Sequence, residues 1–340
     1  MQFLSKRVIL AYKNFAANRN ISHIGLGVAA MNTAKVLRAN GILAEVWPIT
    51  SAADLQGRLD TSISHVVTSA PWIAAPAWQQ MTTAHPDVTF AVNCHSNVGF
   101  LQADTSGVKR LREGLDIERG VWNFHVAGNS RKFTQWIHSA YGAPCAYLPN
   151  LYYLEAGRKL PVQAPYQGGT LRLGAFGATR PLKNFMSAAG AALEIATRLR
   201  APLELWVSAG RAEGGAGIMD AVRAMVANLP HVKLVENGWQ SWPQFRATVR
   251  HMHLLLQPSY TESFNMVTAD GIAEGVPSVV SDAIDWAPKA WKAAFDDVVE
   301  IARVGRQLLC DAHAMEDGVA ALEAHNVLGL QSWKTYLGVA

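Results

Sequence analysis

Two carboxylates eight residues apart, Glu262 and Asp270, stand between the apolar runs "MHLLLQP" (252 to 258) and "PSVVS" (277 to 281). Each run reads as a buried strand, so the chain between them leaves a sheet, enters a helix and returns. Thr261 or Ser263 is placed to cap that helix with a side-chain oxygen. Glu262 then occupies the strand-to-helix turn, where a carboxylate accepts hydrogen bonds from sugar hydroxyls. The amides of Ser263, Phe264, Asn265 and Met266 offer donors to phosphate or sugar oxygens. Eight residues carry a helix through two turns plus about 80°. Asp270 is therefore expected on roughly the side of Glu262, able to grip a vicinal diol such as that of a ribose. A solvated acidic helix start uses the same residues, and the two acids alone do not separate these readings.

Positioning such a turn requires a sheet, and the rest of the sequence supplies its strands. In the first half, "RVILAY" (7 to 12), "AEVWPI" (44 to 49), "SHVVTS" (64 to 69), "VTFAVNC" (88 to 94), "WNFHVAG" (122 to 128) and "CAYLP" (145 to 149) read as strands. Helical patterns at 25 to 40, 73 to 85 and 130 to 141 lie between them. The second half repeats the alternation, with strands at 171 to 176, 203 to 209, 231 to 236, 252 to 258 and 277 to 281. Its helices fall near 183 to 200, 216 to 229, 241 to 249 and 264 to 275. Strand and helix in alternation predict parallel sheets wound on both faces. The stretch "RKLPVQAPYQGGT" (158 to 170) reads as a linker between them. Two such domains facing across a cleft are expected to bring strand ends and helix N-termini around one ligand, an arrangement suited to a nucleotide diphosphate.

Composition narrows the setting. With 340 residues, half apolar and 16% charged, the chain is expected to bury two cores rather than remain disordered. Cys94, Cys145 and Cys310 show no CxxC spacing and read as reduced core residues of a cytoplasmic protein. No apolar run approaches membrane-spanning length, and the opening "MQFLSKRVILAY" lacks the form of a leader. The first 165 residues hold 15 basic and 9 acidic side chains, and the remainder 15 and 17. A basic first half admits an anionic partner, although solvated surface charge explains so small an excess equally well.

The ordered set of residues around Glu262 resembles the retaining, GT-B-fold glycosyltransferases of the family 4 type (glycosyl transferases group 1). Pro258-Ser259, Glu262-Ser263-Phe264-Asn265 and Asp270-Gly271-Ile272-Ala273-Glu274-Gly275-Val276-Pro277 follow that family's signature in order. "GAFGATRPLKNF" (174 to 185) is similar to its glycine-rich turn, "VAGNSRKFTQWIHSAYGAPCAYLPNLY" (126 to 152) to the passage closing its first domain, and "FAVNCHSNVGF" (90 to 100) to its strand-end histidine segment. "SHIGLGVAAMNTAKVLRANG" (22 to 41) looks like its first turn and helix, with Gly25 and Gly27 separated by Leu26, and "LQSWKTYLG" (330 to 338) like its terminal helix. Two departures stand out: Asp270 replaces a glutamate and Asn265 a glycine.

The resemblance implies two doubly wound Rossmann-like domains. These are an acceptor domain over 1 to 160, a nucleotide-sugar domain over 168 to 320, and a helix over 321 to 340 that crosses back. It further implies hexosyl transfer from a nucleotide sugar, expected to be a UDP-sugar, to a hydroxyl acceptor, with retention and with neither metal nor other cofactor. Arg180 and Lys183 would neutralise the diphosphate, His95 would face the donor sugar, Glu262 would hold sugar hydroxyls and Asp270 the ribose. Gly25 and Gly27, with Ser263, Phe264, Asn265 and Met266, would complete the donor site. Without that context Arg180 and Lys183 are an ordinary helix-start pair, and a lone histidine is more often structural. A saccharide or small molecule is the leading acceptor. DNA carrying hydroxymethylated bases and a lipid at an anionic membrane surface are the alternatives, with "GVKRLREG" (107 to 114) as the segment that would touch phosphates; its bland reading is a solvated helix face. "NGWQSWPQF" (237 to 245) reads as loop and core packing ahead of base stacking. A nucleotide-sugar epimerase or binding protein is the alternative outside transfer, but no matching acid pair is apparent in the first half.

Overall fold

The computed structural model describes residues 6–14, 24–155, 165–215 and 217–339. They divide into two compact units, Met1–Tyr153 with His325–Ala340, and Leu154–Ala324. Most of the linker sequence, 158 to 164, and His23 lie outside the described residues.

The first unit is built on a six-stranded sheet of β1 (Arg7–Lys13), β2 (Ala44–Ile49), β3 (Ile63–Ser69), β4 (Thr89–Cys94), β5 (Phe124–Gly128) and β6 (Ala146–Tyr147). Its order is β2-β1-β3-β4-β5-β6, with every pairing parallel. Both faces are covered, which is why these strands read as continuous apolar runs rather than alternating ones. Ile9, Phe90, Val92 and Phe124 face one core with Trp78 and Met81. Leu10, Val67, Ala91 and Ala127 face the other with Leu37, Trp333 and Leu337. The latter two belong to the helix Ala314–Leu337, whose residues from His325 onward are part of this unit. Trp333 donates its indole N–H to the carbonyl of Pro149 at 2.9 Å, and Asn326 makes two hydrogen bonds with the backbone of Tyr152.

The second unit holds β7 (Leu171–Ala175), β8 (Leu203–Ser208), β9 (Val232–Asn237), β10 (Leu254–Gln257) and β11 (Ser278–Val280), all parallel in the order β11-β10-β7-β8-β9. The chain starts at the central strand, winds outward to β9 and returns to β10 on the other side. The strand order therefore reverses between β7 and β10, the position at which open α/β sheets bind ligands. On one face the alanine-rich helix Phe185–Leu199 packs close to Val298–Cys310, because Ala188, Ala191, Ala192 and Gly190 leave room for backbone approach.

One expectation from the sequence, that all three cysteines are core residues, is corrected. Cys310 is exposed at the end of its helix; Cys94 is buried, Cys145 partly so, and all three are free thiols. The basic stretch 107 to 114 agrees with its reading as a solvated helix face: it belongs to the longer helix Thr105–Gly120, which buries Leu111, Gly114 and Leu115, keeps Lys109 and Arg112 in solvent and pairs Arg110 with Glu113. Among the described residues no helix is long and apolar enough to cross a membrane.

Candidate active site

The chain leaving β7 turns through Phe176–Thr179 into a 3-10 turn, Pro181–Lys183, and that turn gives way to the helix Phe185–Leu199. Gly177 makes the bend possible. Its φ is +122°, which L side chains rarely adopt, and a Cβ there would lie 3.1 Å from the Cε of Lys183. Asn184 follows in the left-handed region, with φ 56°. Its side-chain amide donates to the carbonyls of Pro258 at 3.1 Å and Phe295 at 2.6 Å, which locks the turn to the segments after β10 and β11.

Lys183 reaches Glu262 across this junction, Nζ to Oε1 at 2.5 Å, with side chains only 14% and 11% exposed. Ser259 Oγ donates to the same oxygen at 2.7 Å and Asn265 Nδ2 at 3.1 Å. Three donors thus hold one carboxylate oxygen, fixing Glu262 at the mouth of the β10 turn. Asn265 also donates to Gln257 Oε1, and Gln257 donates to the carbonyl of Phe176. A buried polar chain therefore joins the strand ends of β7 and β10.

Asn265 corrects the expected cap. It adopts φ 68° and accepts a hydrogen bond from the Thr268 amide at 2.9 Å, so the helix begins at Met266 and neither Thr261 nor Ser263 caps it. Asparagine tolerates the left-handed region that a glycine would otherwise be needed for, and its side chain is spent on protein contacts. Glu262 consequently lies outside the helix, and the two-turn argument relating it to Asp270 fails. Asp270 lies one turn inside Met266–Glu274, 2% exposed, and accepts from the indole N–H of Trp242 at 2.9 Å. Phe264 is buried and stacked on Trp286, while Ser263 and Met266 are partly exposed beside it.

Arg180 precedes the 3-10 turn and pairs through Nε with Glu213 Oε2 at 2.7 Å, while Arg211 pairs with the other oxygen of Glu213. Burial lowers the guanidinium of Arg180, with Glu262 opposing that shift, and burial beside Arg180 pushes Arg211 down to about 10. Both remain cations at neutral pH. The sequence reading missed Arg211 and Glu213; their place directly after β8 and Gly210 is the signal that marks them.

In the first unit His95 follows β4 and is partly exposed, and burial pushes its imidazole down to about 4. It is therefore neutral at pH 7. Gly25 and Gly27 fall in the first turn of the helix Ile24–Ala39. Gly25 has open space where a Cβ would stand, whereas a Cβ on Gly27 would meet the Tyr12 ring at 3.1 Å, so Gly27 serves close packing.

Residues 131–284 match the family model described as "Family 4 Glycosyltransferase in conflict systems". Over that span the chain is similar to family 4 glycosyltransferases. The span contains Arg180, Lys183, Glu262, Asn265 and Asp270, so the resemblance drawn from the motifs is borne out. The search of curated proteins found no match. Among solved structures, sucrose-phosphate synthase from Thermosynechococcus elongatus is 15% identical with a TM-score of 0.62, over 97% of this chain and 98% of that one. A UDP-forming alpha,alpha-trehalose-phosphate synthase from Burkholderia vietnamiensis is 11% identical with a TM-score of 0.63, over 98% and 96%. S. aureus TarM, solved with Fondaparinux, alpha-GlcNAc-glycerol and UDP, is 13% identical with a TM-score of 0.58, over 81% of this chain and 55% of that one. The chain thus spans little more than half of TarM. At these identities the likeness establishes the fold, two Rossmann-like units.

Proposed function

We propose that the protein transfers a hexosyl group from a UDP-sugar to a hydroxyl of a saccharide or small-molecule acceptor, with retention and without a metal or other cofactor. The reading rests above all on the Lys183–Glu262 pair, held by Ser259 and Asn265 at the reversal point of the second sheet within the glycosyltransferase-matching span. UDP as the nucleotide is supported by two neighbours, TarM solved with UDP and the UDP-forming trehalose-phosphate synthase.

The bond that breaks joins the anomeric carbon to the β-phosphate oxygen, and negative charge gathers on that phosphate. Lys183 and Arg180 supply the opposing charge, which acts most strongly where water is thin. The acceptor oxygen bonds to the anomeric carbon on the face the phosphate leaves, and its proton passes to the departing phosphate oxygen. Glu262 accepts sugar hydroxyls, the amides from Ser263 to Met266 steady phosphate or sugar oxygens, and Asp270 takes the ribose. His95, being neutral, orients the sugar through a hydrogen bond and adds no positive charge against an oxocarbenium-like carbon.

UDP release from a panel of UDP-sugars, with water, simple sugars, lipid vesicles or hydroxymethylated DNA as acceptor, tests the proposal. Acceptor-dependent release with a saccharide, and an α-linked product from an α-linked donor, is the expected result. Release that never depends on an acceptor, or none with any donor, refutes transfer; stimulation by vesicles or DNA alone reassigns the acceptor.

A further inference from the structure

Tyr260 and Phe295 are large aromatic residues left 46% and 40% exposed, with ring centroids 4.9 Å apart and planes at 64°. Keeping such rings out of the core forgoes the stabilisation of burying their apolar surface, yet the fold fixes both by their backbones. The Tyr260 amide donates to the carbonyl of Leu182 at 3.0 Å, and the carbonyl of Phe295 accepts from Asn184 Nδ2 at 2.6 Å. Leu182 and Asn184 flank Lys183, and Tyr260 is two residues before Glu262. The segment carrying Phe295 is braced further by the Ala293 amide on the Val280 carbonyl and the Ala294 amide on Glu300, both at 2.9 Å. The aromatic pair is thus a fixed feature of the turns that carry the cation and the carboxylate.

We propose that Tyr260 and Phe295 form a platform for a pyranose ring, a role that rests on the glycosyl-transfer reading and deepens it. A pyranose presents one face of C–H groups and a rim of hydroxyls. An aromatic surface takes the face, and a nearby carboxylate and ammonium take the rim, the usual division of an apolar wall with a few placed polar groups. A purely apolar partner would leave Lys183 and Glu262 without work. The ring belongs either to the glycosyl group of the donor or to the acceptor saccharide, and the platform chemistry is the same for both.

The test compares wild type, Tyr260→Ala/Phe295→Ala and the conservative Tyr260→Phe by calorimetry with UDP, UDP-glucose and UDP-N-acetylglucosamine, and by saturation-transfer NMR with methyl glucosides. For a donor platform, the double alanine variant binds the UDP-sugars about tenfold more weakly while UDP binding is unchanged. For an acceptor platform, UDP-sugar affinity holds and the methyl glucoside signals are lost. Tyr260→Phe retains both in either case. Equal binding of every probe by wild type and double variant overturns the platform and leaves the transfer reading intact. Weakened UDP binding overturns it as well, by marking the pair as structural support. Wild-type self-association that the double variant abolishes overturns it in favour of a surface between copies. If wild type binds no UDP or UDP-sugar, the transfer reading and the platform fall together.

Discussion

Removing the Lys183 ammonium tests the site through both folding and turnover. Two opposite charges about 4 Å apart at an effective dielectric near 20 attract by about 4 kcal/mol, and desolvation returns part of that. Lys183 and Glu262 are 14% and 11% exposed, so the net contribution lies above that of a surface pair. In Lys183→Ala, Glu262 keeps the hydrogen bonds from Ser259 and Asn265 but loses the ammonium paired with it, at a cost of about 2 kcal/mol. Glu262→Gln keeps an oxygen for the same two donors and leaves the ammonium without its carboxylate, at a cost of about 1 kcal/mol. The double variant has neither charge to strand, so its loss stays near about 1 kcal/mol and the two changes couple by about 2 kcal/mol. Urea unfolding of the four proteins, followed by tryptophan fluorescence, measures that coupling. Turnover separates the roles: Lys183→Ala loses about a hundredfold or more in kcat if the ammonium meets the developing phosphate charge. Glu262→Gln does not restore turnover in the double variant. Additive stabilities would refute the buried pair, and unimpaired turnover in Lys183→Ala would remove the residue from the chemistry.

Gly177→Ala places a side chain at φ +122° against Lys183, so it destabilises by about 1–3 kcal/mol and lowers kcat in the manner of Lys183→Ala; a neutral outcome by thermal denaturation and turnover would contradict the bend. If Asp270 holds the ribose, wild type binds UDP more tightly than 2′-deoxy-UDP and Asp270→Asn binds the two alike, whereas an unchanged preference by calorimetry limits Asp270 to its bond with Trp242. Burial and the neighbouring His125 push His65 down to about 4 from 6.5, so the unfolded chain takes up that proton first. Folding then weakens as the pH falls from 6.5 towards 4, by about 3 kcal/mol, and is little affected above 6.5; His65→Gln should flatten this acid limb in pH-dependent urea titrations. Turnover in excess EDTA should equal turnover without it, and a loss restored by added magnesium would refute metal independence.

Most of the sheet framework was legible because parallel strands buried on both faces leave short, continuous apolar runs between helical stretches. β2 was read with the bounds the structure has, and β7, β8 and β9 to within a residue at either end. Edge strands were legible less well: 145 to 149 pairs only through Ala146–Tyr147, since an edge position forms one ladder and ends where β5 does. The helix Ala314–Leu337 was expected over 321 to 340, so only about its first two turns were missed.

The motif reading located the charged turns, but spacing alone misjudged how they are built. It carried helical rotation from Glu262 through to Asp270, whereas a single left-handed residue, Asn265, sets the helix start at Met266. Backbone handedness at one position is not visible in apolar periodicity, and it decides whether two acids share a face. The same residue ties Glu262 to Gln257 and through it to the Phe176 carbonyl. The substitution that departs from the family glycine is therefore the one that couples the two strand ends. Asn265→Gly would keep the turn and remove the coupling. Its expected effect is near-normal folding with Glu262 less firmly held, read as a lower kcat with little change in unfolding midpoint.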